Sequence, residues 1–135
     1  MSVRVRPASL QDGIAVLSLL EEVGYLPEPI SFAQTYRKTL GNPHFLIRVA
    51  EVDGKIVGMA SLSLRYHLGL GGLLASLDEI VVGLGPHKDV ERALMQATVG
   101  KARSLGARKV LSTGGPSVRP VALPKAQPRT SGAAA

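Results

Sequence analysis

The first forty residues of the chain are predicted to form one strand followed by two helices. Residues 3–6 alternate valine with arginine, which predicts a short strand that ends at Pro7. Ser9 and Asp12 then have the spacing of a helix-capping pair. The helix that follows is predicted from a wide apolar stripe and ends at Gly24. The residues of this stripe are Leu10, Ile14, Leu17, Val16, Leu19, Leu20 and Val23.

Residues 31–40 form the second predicted helix. Pro27 and Pro29 mark the loop that precedes it, and Ser31 is the expected N-cap. The Gly-Asn-Pro sequence that follows residue 40 ends this helix, because proline cannot continue it.

A β-hairpin is the strongest local prediction in the chain. Residues 45–52 form its first strand, and Asp53-Gly54 suits a two-residue turn in which both residues have positive φ angles. The side chains of the returning strand are expected to alternate between two faces of the sheet. One face carries Ile56, Gly58, Ala60, Leu62 and Leu64, and the other carries Val57, Met59, Ser61, Ser63 and Arg65.

The segment after the hairpin is predicted as strand, helix and strand. A glycine-rich loop at residues 69–72 leads into a fourth strand over residues 73–82. A helix follows over residues 88–105, with Gly106 as its C-terminal cap, and a fifth strand covers residues 109–113. The apolar stripe of this helix consists of Val90, Ala93, Leu94 and Ala97. This order of elements predicts an α/β fold with a mixed sheet flanked by helices.

The end of the chain differs in character from the rest. Prolines recur at every fourth position among alanine, glycine, serine and arginine, and this period suits neither a helix nor a strand. We therefore expect one domain over residues 1–113 and a basic, Pro/Ala-rich, disordered tail over residues 114–135. The prolines are Pro116, Pro120, Pro124 and Pro128.

Composition excludes several classes of protein. The 135 residues include no cysteine, so a disulfide framework, a thiolate metal site and a cysteine nucleophile are excluded. No apolar run reaches the roughly 18 residues that a membrane span needs. The chain also begins without the apolar stretch of a secretory signal. We therefore expect a cytoplasmic protein with no membrane partner.

The net charge of +6 is distributed unevenly. Residues 1–91 contain eight basic and ten acidic residues, whereas residues 92–135 contain eight basic and no acidic residues. Such asymmetry can mark a nucleic-acid-binding tail. However, these charges are dispersed, and no aromatic residue that could stack on a base follows Tyr66. We therefore do not expect nucleic acid to be the main partner. A basic C-terminal part also suits a polyanionic nucleotide cofactor.

Five segments carry a resemblance to a known family through their order and spacing. They are residues 5–12 (VRPASLQD), 49–60 (VAEVDGKIVGMA), 77–82 (LDEIVV), 91–95 (ERALM) and 102–110 (ARSLGARKV). Together they resemble the GNAT N-acetyltransferases over roughly residues 3–115. The resemblance implies a GNAT-like acyl-CoA N-acyltransferase fold. The family's last helix and closing strands have no matching segment here, so we expect the fold to lack them.

The resemblance implies an acetyl-CoA site at the end of the fourth strand and the start of the long helix. In the family, backbone groups of this strand bind the pantetheine arm, and amides at the helix N-terminus bind the pyrophosphate. The residues at the matching positions are Ile80, Val81, Val82, His87, Lys88, Asp89, Val90, Glu91 and Arg92.

The phosphate loop departs from the family pattern. The family has Arg/Gln-x-x-Gly-x-Gly/Ala, whose glycines let the backbone approach the phosphates. Here Pro86 stands at the arginine, and Asp89 and Glu91 stand at the glycines. Each carboxylate would repel a nearby phosphate by roughly 1 kcal/mol in water, which Lys88 and Arg92 could partly offset. Without the resemblance, the same residues form an ordinary acidic first turn of a helix. Both interpretations remain open.

The resemblance also implies the chemistry. GNAT enzymes transfer an acetyl group to a primary amine by direct attack, often with a carboxylate of the fourth strand as the base. Glu79 stands at the matching position, and its neighbour Asp78 is expected on the opposite face of the sheet. The alternative for Glu79 is a solvated strand carboxylate. The family's thiolate-protonating tyrosine has no matching phrase, so Tyr25, Tyr36 and Tyr66 remain as candidate donors or as packing residues.

Two functional hypotheses follow from these observations. The first is an N-acetyltransferase that uses acetyl-CoA and a small-molecule or protein amine. The second is a catalytically impaired GNAT-like module that binds acyl-CoA weakly or not at all. No metal-ligand spacing is present in the sequence. Missing closing strands would leave a sheet edge uncovered, so a second copy of the chain could cover it as a homodimer.

Overall fold

The structure, a computed structural model, describes residues 2–85 and 88–112. Its elements are β1 (Val3–Pro7), α1 (Gly13–Glu22), α2 (Pro29–Leu40), β2 (Phe45–Val52), β3 (Lys55–His67), β4 (Gly72–Val82), α3 (Lys88–Ser104) and β5 (Ala107–Ser112), with short 3₁₀ turns at Leu10–Asp12 and Leu68–Leu70. The strands form one sheet in the order β1-β2-β3-β4-β5, in which only β4 and β5 are parallel neighbours. The predicted α/β class and order of elements are confirmed.

Some predictions concern parts of the chain outside the described residues. These are the boundary after residue 113, the tail over residues 114–135 and the absence of a last helix and closing strands. Within residues 2–85 and 88–112, no helix combines the length and the hydrophobicity needed to cross a bilayer.

The sheet separates two apolar cores. On one face, Val49, Met59 and Val81 of the strands pack against Val16 of α1 and Tyr36 of α2. On the other face, α3 covers the alternate strand residues, because successive side chains of a strand point to opposite faces. This second core contains Ala50, Ala60, Ile80, Val82, Val90 and Leu94.

A partly buried ion-pair network joins β1, the turn before α1 and β2. Arg6 donates hydrogen bonds to both carboxylate oxygens of Asp12, at 2.7 and 2.9 Å, and two more to Glu51 Oε2, at 2.9 and 2.7 Å. Asp12 also accepts hydrogen bonds from the backbone N (2.8 Å) and Oγ (3.0 Å) of Ser9. The first of these is the bond from the N-cap amide to the side chain three residues later that a capping pair makes. The Arg6 guanidinium holds the pKa of Asp12 well below its ordinary value of 3.8.

The apolar stripe predicted for the first helix is only half buried. Val16 and Leu19 lie in the core, whereas Leu10 and Ile14 are 51% and 82% exposed. The segment is also split into a 3₁₀ turn and α1 rather than forming one continuous helix. The apolar stripe is therefore wider than the surface through which α1 contacts the sheet, and only one edge of the stripe is buried.

The N-cap of α2 lies three residues before the predicted one. Pro29 occupies its first position, where a missing N–H costs nothing, and Glu28 rather than Ser31 is the N-cap. The Glu28 carboxylate accepts hydrogen bonds from Ile30 N (3.1 Å), Ser31 N (2.8 Å) and Ser31 Oγ (2.8 Å). The prediction of Ser31 was wrong because glutamate is not among the preferred N-cap residues.

Both turns predicted from positive φ angles are confirmed. Asp53 and Gly54 join β2 to β3 with φ angles of 53° and 78°. Gly106 ends α3 with a φ of 101°. The chain enters β5 directly after it, so β5 begins at Ala107, two residues before the predicted start.

A bulge near the hairpin turn reverses part of the alternation predicted for β3. Ala50 pairs with Gly58 and Glu51 pairs with Ile56, so Val57 is an extra residue in β3. As a result, Ile56 packs on the α1–α2 face and Val57 packs on the α3 face. The prediction placed Ile56 on the α3 face and Val57 on the α1–α2 face, because alternation alone contains no information about a bulge.

α3 lies directly on β3 at Gly58. An added Cβ at Gly58 would lie 2.8 Å from Val90 Cγ1 and 2.9 Å from Leu94 Cδ1. Ala93 and Ala97, which were predicted in the apolar stripe, are only half buried. The buried residues of α3 recur at every fourth position and are Val90, Leu94, Thr98 and Ala102. The Thr98 hydroxyl donates to the carbonyl of Leu94 at 2.6 Å, which satisfies it inside the core.

We expect Gly100→Ala to stabilise the protein by about 1 kcal/mol. Gly100 lies inside α3, and nothing is within 4 Å of an added Cβ, so alanine would gain its helix propensity without a clash. Urea denaturation followed by circular dichroism measures the change. Gly58→Ala is the matched control and should destabilise, since its Cβ would collide with Val90 and Leu94. Equal stability of the two variants would contradict the described packing.

We expect Asp12→Asn to destabilise the protein by about 2 kcal/mol at pH 7, because it weakens charge-assisted hydrogen bonds with Arg6. The folded-state pKa of Asp12 is lowered, so its contribution is present above pH 4 and is lost as the pH falls further. The difference from the wild type should therefore shrink as the pH falls from 4 to 2. Asp53→Asn, at an exposed turn, is the control. A difference that did not change with pH would exclude the ion pair as its source.

Candidate functional site

A second bulge places two adjacent carboxylates on the same face of the sheet. In the pairing of β3 with β4, Ser61 lies opposite Glu79 and Leu62 lies opposite Leu77, so Asp78 is an extra residue in β4. Asp78 and Glu79 both line the cleft on the α1–α2 face. The prediction that Asp78 points away from Glu79 is therefore wrong, because the bulge interrupts the alternation on which it rested.

The cleft between α2 and the sheet, here called the central cleft, has a volume of about 650 Å³. α1 and the segment before α2 form its walls, and β2, β3 and β4 form its floor. Most of its lining is apolar or aromatic, and the carboxylates of β4 lie at one side. The lining residues are Val16, Leu20, Tyr25, Leu26, Pro27, Glu28, Ser31, Phe32, Thr35, Tyr36, Thr39, Phe45, Ile47, Met59, Ser61, Asp78 and Glu79.

The two β4 carboxylates have different surroundings. Glu79 is exposed and accepts a hydrogen bond from the Ser61 hydroxyl at 2.7 Å. Asp78 is half buried, and among the described residues its carboxylate has neither a hydrogen bond nor an ion pair. Among residues 2–85 and 88–112, no lysine, arginine or histidine lines the central cleft. The described part of the cleft therefore carries net negative charge beside an apolar surface.

Tyr36 belongs to the wall of the cleft rather than to its reactive groups. Its hydroxyl donates to the carbonyl of Ser9 at 2.6 Å, and its ring stacks on Phe32 with centroids 5.5 Å apart. Burial and the nearby charge of Asp12 raise the pKa of Tyr36 to about 12. Tyr66 is 78% exposed and does not line the cleft, whereas Tyr25 does. Tyr25 is half buried and packs against the core on the α1–α2 face.

β4 continues beyond the end of its pairing with β5. The parallel pairs run from Leu73 with Ala107 to Leu77 with Ser112, and the segment from Asp78 to Val82 pairs only with β3 among the described residues. An extended ligand could add to this free edge as a further strand would.

The side chains of the predicted strand residues are not available to a ligand. Ile80, Val81 and Val82 are each at most 2% exposed, and they belong to the two cores of the sheet. These residues can therefore contribute only backbone groups, as the resemblance implied.

The loop after β4 is held by contacts with α1 and β3. The sequence did not predict these contacts. The Gly83 amide donates to the carbonyl of Val57 at 2.8 Å, and the Leu84 amide donates to Glu22 Oε2 at 2.8 Å. An added Cβ at Gly83 would lie 3.1 Å from Glu22 Oε2 and 3.3 Å from Leu19 Cδ1. α1 therefore lies directly against the loop, and the Glu22 carboxylate at the C-terminal end of α1 accepts a hydrogen bond from one of the loop's amides.

α3 begins close to the end of β4, where the resemblance places the phosphates. Val90 is buried against Gly58, so it positions the helix and can offer only its amide. Lys88, Asp89 and Arg92 are exposed, and Glu91 is half buried. Asp89 and Glu91 lie in the first turn of α3. His87, a predicted cofactor-binding residue, lies outside the described residues together with Pro86.

The site has no feature of a metal centre in the described ranges. No group of three or more histidine, aspartate or glutamate side chains among residues 2–85 and 88–112 could hold a metal ion.

Comparisons with known proteins identify similar solved structures, but they identify no matching family or curated protein. No protein-family model matches the chain, and no curated protein matches it by sequence. A GNAT family acetyltransferase from Staphylococcus aureus has a TM-score of 0.77 at 13% identity, covering 96% of this chain and 99% of that chain. An aminoglycoside N-acetyltransferase in complex with CoA has a TM-score of 0.72 at 18% identity, covering 84% and 78%.

A third similar structure is the ribosomal-protein-alanine N-acetyltransferase from Brucella melitensis. It has a TM-score of 0.71 at 17% identity and covers 96% of this chain and 100% of that chain. Identities this low establish a shared fold alone, and the two acceptors that these names give, an aminoglycoside and a ribosomal-protein alanine, differ from each other.

We expect Glu22→Ala to expose the Leu84 amide to exchange with solvent, because the variant removes its acceptor. Glu22→Gln is the matched control, since its amide oxygen can still accept the hydrogen bond. Hydrogen exchange measured by NMR should show protection of Leu84 that is lost in the alanine variant and largely kept in the glutamine variant. Unchanged protection in Glu22→Ala would mean that another group holds this loop.

Proposed function

Because the chain has the GNAT fold, we propose that it is an N-acetyltransferase that transfers an acetyl group from acetyl-CoA to a primary amine. The observation that carries this proposal is the bulge at Asp78. It brings two carboxylates to the floor of the central cleft, on the part of β4 whose other edge has no partner strand among the described residues. An amine site and a strand edge for an extended co-substrate therefore lie on the same segment.

The described residues fit acetyl-CoA well along β4 and poorly at the start of α3. The backbone of residues 78–82 can bond to the pantetheine arm, and the bound co-substrate supplies the acetyl thioester. Lys88 and Arg92 are exposed cations that can face the phosphates. Asp89 and Glu91 oppose this, because carboxylates near a pyrophosphate repel it. We therefore infer weak binding of acetyl-CoA.

In the proposed reaction, Glu79 takes one proton from the ammonium group of the acceptor, directly or through water, and passes it to the solvent. The neutral nitrogen then forms a bond to the acetyl carbonyl carbon as the carbon–sulfur bond breaks. A second nitrogen proton moves to the leaving thiolate, and Tyr25 is the cleft tyrosine that could relay it. The third stays on the amide nitrogen. The products are an acetamide, the thiol of CoA and one proton.

The acidic first turn of α3 favours a second candidate function, a GNAT-like module with impaired acyl-CoA binding. Asp89 and Glu91 add both negative charge and side-chain bulk where the family has glycines. Binding and turnover measurements together distinguish the two functions.

We expect Asp89→Gly/Glu91→Gly to bind acetyl-CoA more tightly than the wild type, because it removes repulsion from the phosphates and restores close backbone approach. Isothermal titration calorimetry measures the affinity. The matched variant Asp89→Asn/Glu91→Gln keeps the side-chain bulk and removes the charge, so it separates the two effects. Unchanged or weaker binding in both variants would show that this turn does not face the phosphates.

A thiol-release assay over a panel of primary amines tests the activity itself. Release of free CoA that depends on the amine and falls strongly in Glu79→Gln supports the acetyltransferase. Binding of acetyl-CoA without release for any amine supports the impaired module instead.

A further inference from the structure

We propose that the acceptor is an arylalkyl primary amine with a single positive charge, and that Asp78 holds its ammonium group while Glu79 handles the proton. This inference rests on the proposed function, and it adds the class of acceptor and separate roles for the two carboxylates. It is carried by the lining and the charge of the central cleft.

Aromatic residues are concentrated in the central cleft. The chain contains only two phenylalanines and three tyrosines, and four of these five residues line the cleft. Phe45 remains 41% exposed there, although β2 is otherwise well packed. Aromatic rings favour stacked or edge-on contacts with another ring, so an aromatic ligand would gain more from this surface than an aliphatic one. The four residues are Tyr25, Phe32, Tyr36 and Phe45.

The charge of the cleft selects a cationic ligand. In the part of the chain that the structure describes, three carboxylates line it, those of Glu28, Asp78 and Glu79, and no lysine, arginine or histidine does. Glu28 is already used, because it caps α2 through two backbone amides and the Ser31 hydroxyl. The two carboxylates available to a ligand are adjacent residues of one bulge, so they form a single acidic end of the cleft.

A single acidic end suits one ammonium group and disfavours a polycation. A second charged group of a polyamine or an aminoglycoside would have to lie along the apolar wall or outside the cleft. Placing a charge against an apolar surface without a partner is unfavourable. A monoamine whose other end is an aromatic ring avoids this cost and fills the aromatic part of the cleft.

The surroundings of the two carboxylates indicate their separate roles. Asp78 is half buried and has no hydrogen bond or ion pair among the described residues, so an ammonium group would supply the partner it lacks. Glu79 is exposed and oriented by the Ser61 hydroxyl. An exposed carboxylate can pass a proton to the solvent after it has taken one from the amine, which suits the base.

Calorimetry without acetyl-CoA tests the class of acceptor independently of catalysis. We expect 2-phenylethylamine to bind the wild-type protein more tightly than spermidine or kanamycin. Asp78→Asn should weaken the binding of 2-phenylethylamine about tenfold or more, as expected for the loss of a charge-assisted contact. It should leave the binding of the neutral analogue 2-phenylethanol nearly unchanged. Glu21→Gln, an exposed position outside the cleft, is the matched control and should bind like the wild type.

Steady-state kinetics with 2-phenylethylamine separate the two carboxylates. Asp78→Asn should mainly raise the KM for the amine, and Glu79→Gln should mainly lower kcat and shift the pH profile. Phe45→Ala is a second test of the aromatic surface. It should weaken the binding of 2-phenylethylamine and leave the binding of methylamine unchanged. Thermal unfolding of each variant checks that it is folded.

Tighter binding of spermidine or kanamycin than of 2-phenylethylamine would overturn the proposed class of acceptor. The division of roles would be overturned if folded Asp78→Asn bound 2-phenylethylamine as tightly as the wild type does. It would also be overturned if Glu79→Gln lost this affinity and Asp78→Asn did not. If Asp78→Asn does not fold, unchanged affinity in Phe45→Ala overturns the inference by itself. Binding of 2-phenylethylamine as expected, but without acetyl transfer, would support the class of amine and the role of Asp78, and it would count against the proposed enzymatic function and the role of Glu79.

Discussion

The asymmetric pairing of β4 is the constraint on which the rest of the site depends. Up to Leu77 the strand is paired on both sides, and from Asp78 onward only β3 pairs with it among the described residues. The bulge lies at this transition, where the extra residue disturbs the ladder on one side only. The same short segment thus presents two carboxylates to the central cleft and backbone groups to the opposite edge.

Both faces of the sheet hold this segment in position. On one face, α3 lies directly on Gly58, and no side chain there could be larger without moving Val90. On the other face, α1 meets the loop after β4 through Glu22, whose carboxylate accepts the Leu84 amide. The ends of β4 and its loop are therefore packed between two helices. A change in either helix would be transmitted to the residues that we assign to the amine and to acetyl-CoA.

The two halves of the proposed site differ in quality. The acceptor half combines an aromatic wall with two carboxylates that have no basic partner in the lining that residues 2–85 and 88–112 provide. The phosphate half combines two exposed cations with Asp89 and Glu91, so its charges partly cancel. This contrast is the basis for proposing strong binding of the amine and weak binding of acetyl-CoA.

The sequence by itself determined the order of the elements and the Asp53-Gly54 turn, because these depend on local periodicity and on φ preferences. Only the tertiary structure decided which face Ile56 and Asp78 occupy, because a bulge is set by how one strand pairs with its neighbour. The contact of Glu22 with the loop after β4 likewise joins residues far apart in the chain. Such contacts arise from packing and leave no local pattern in the amino-acid sequence.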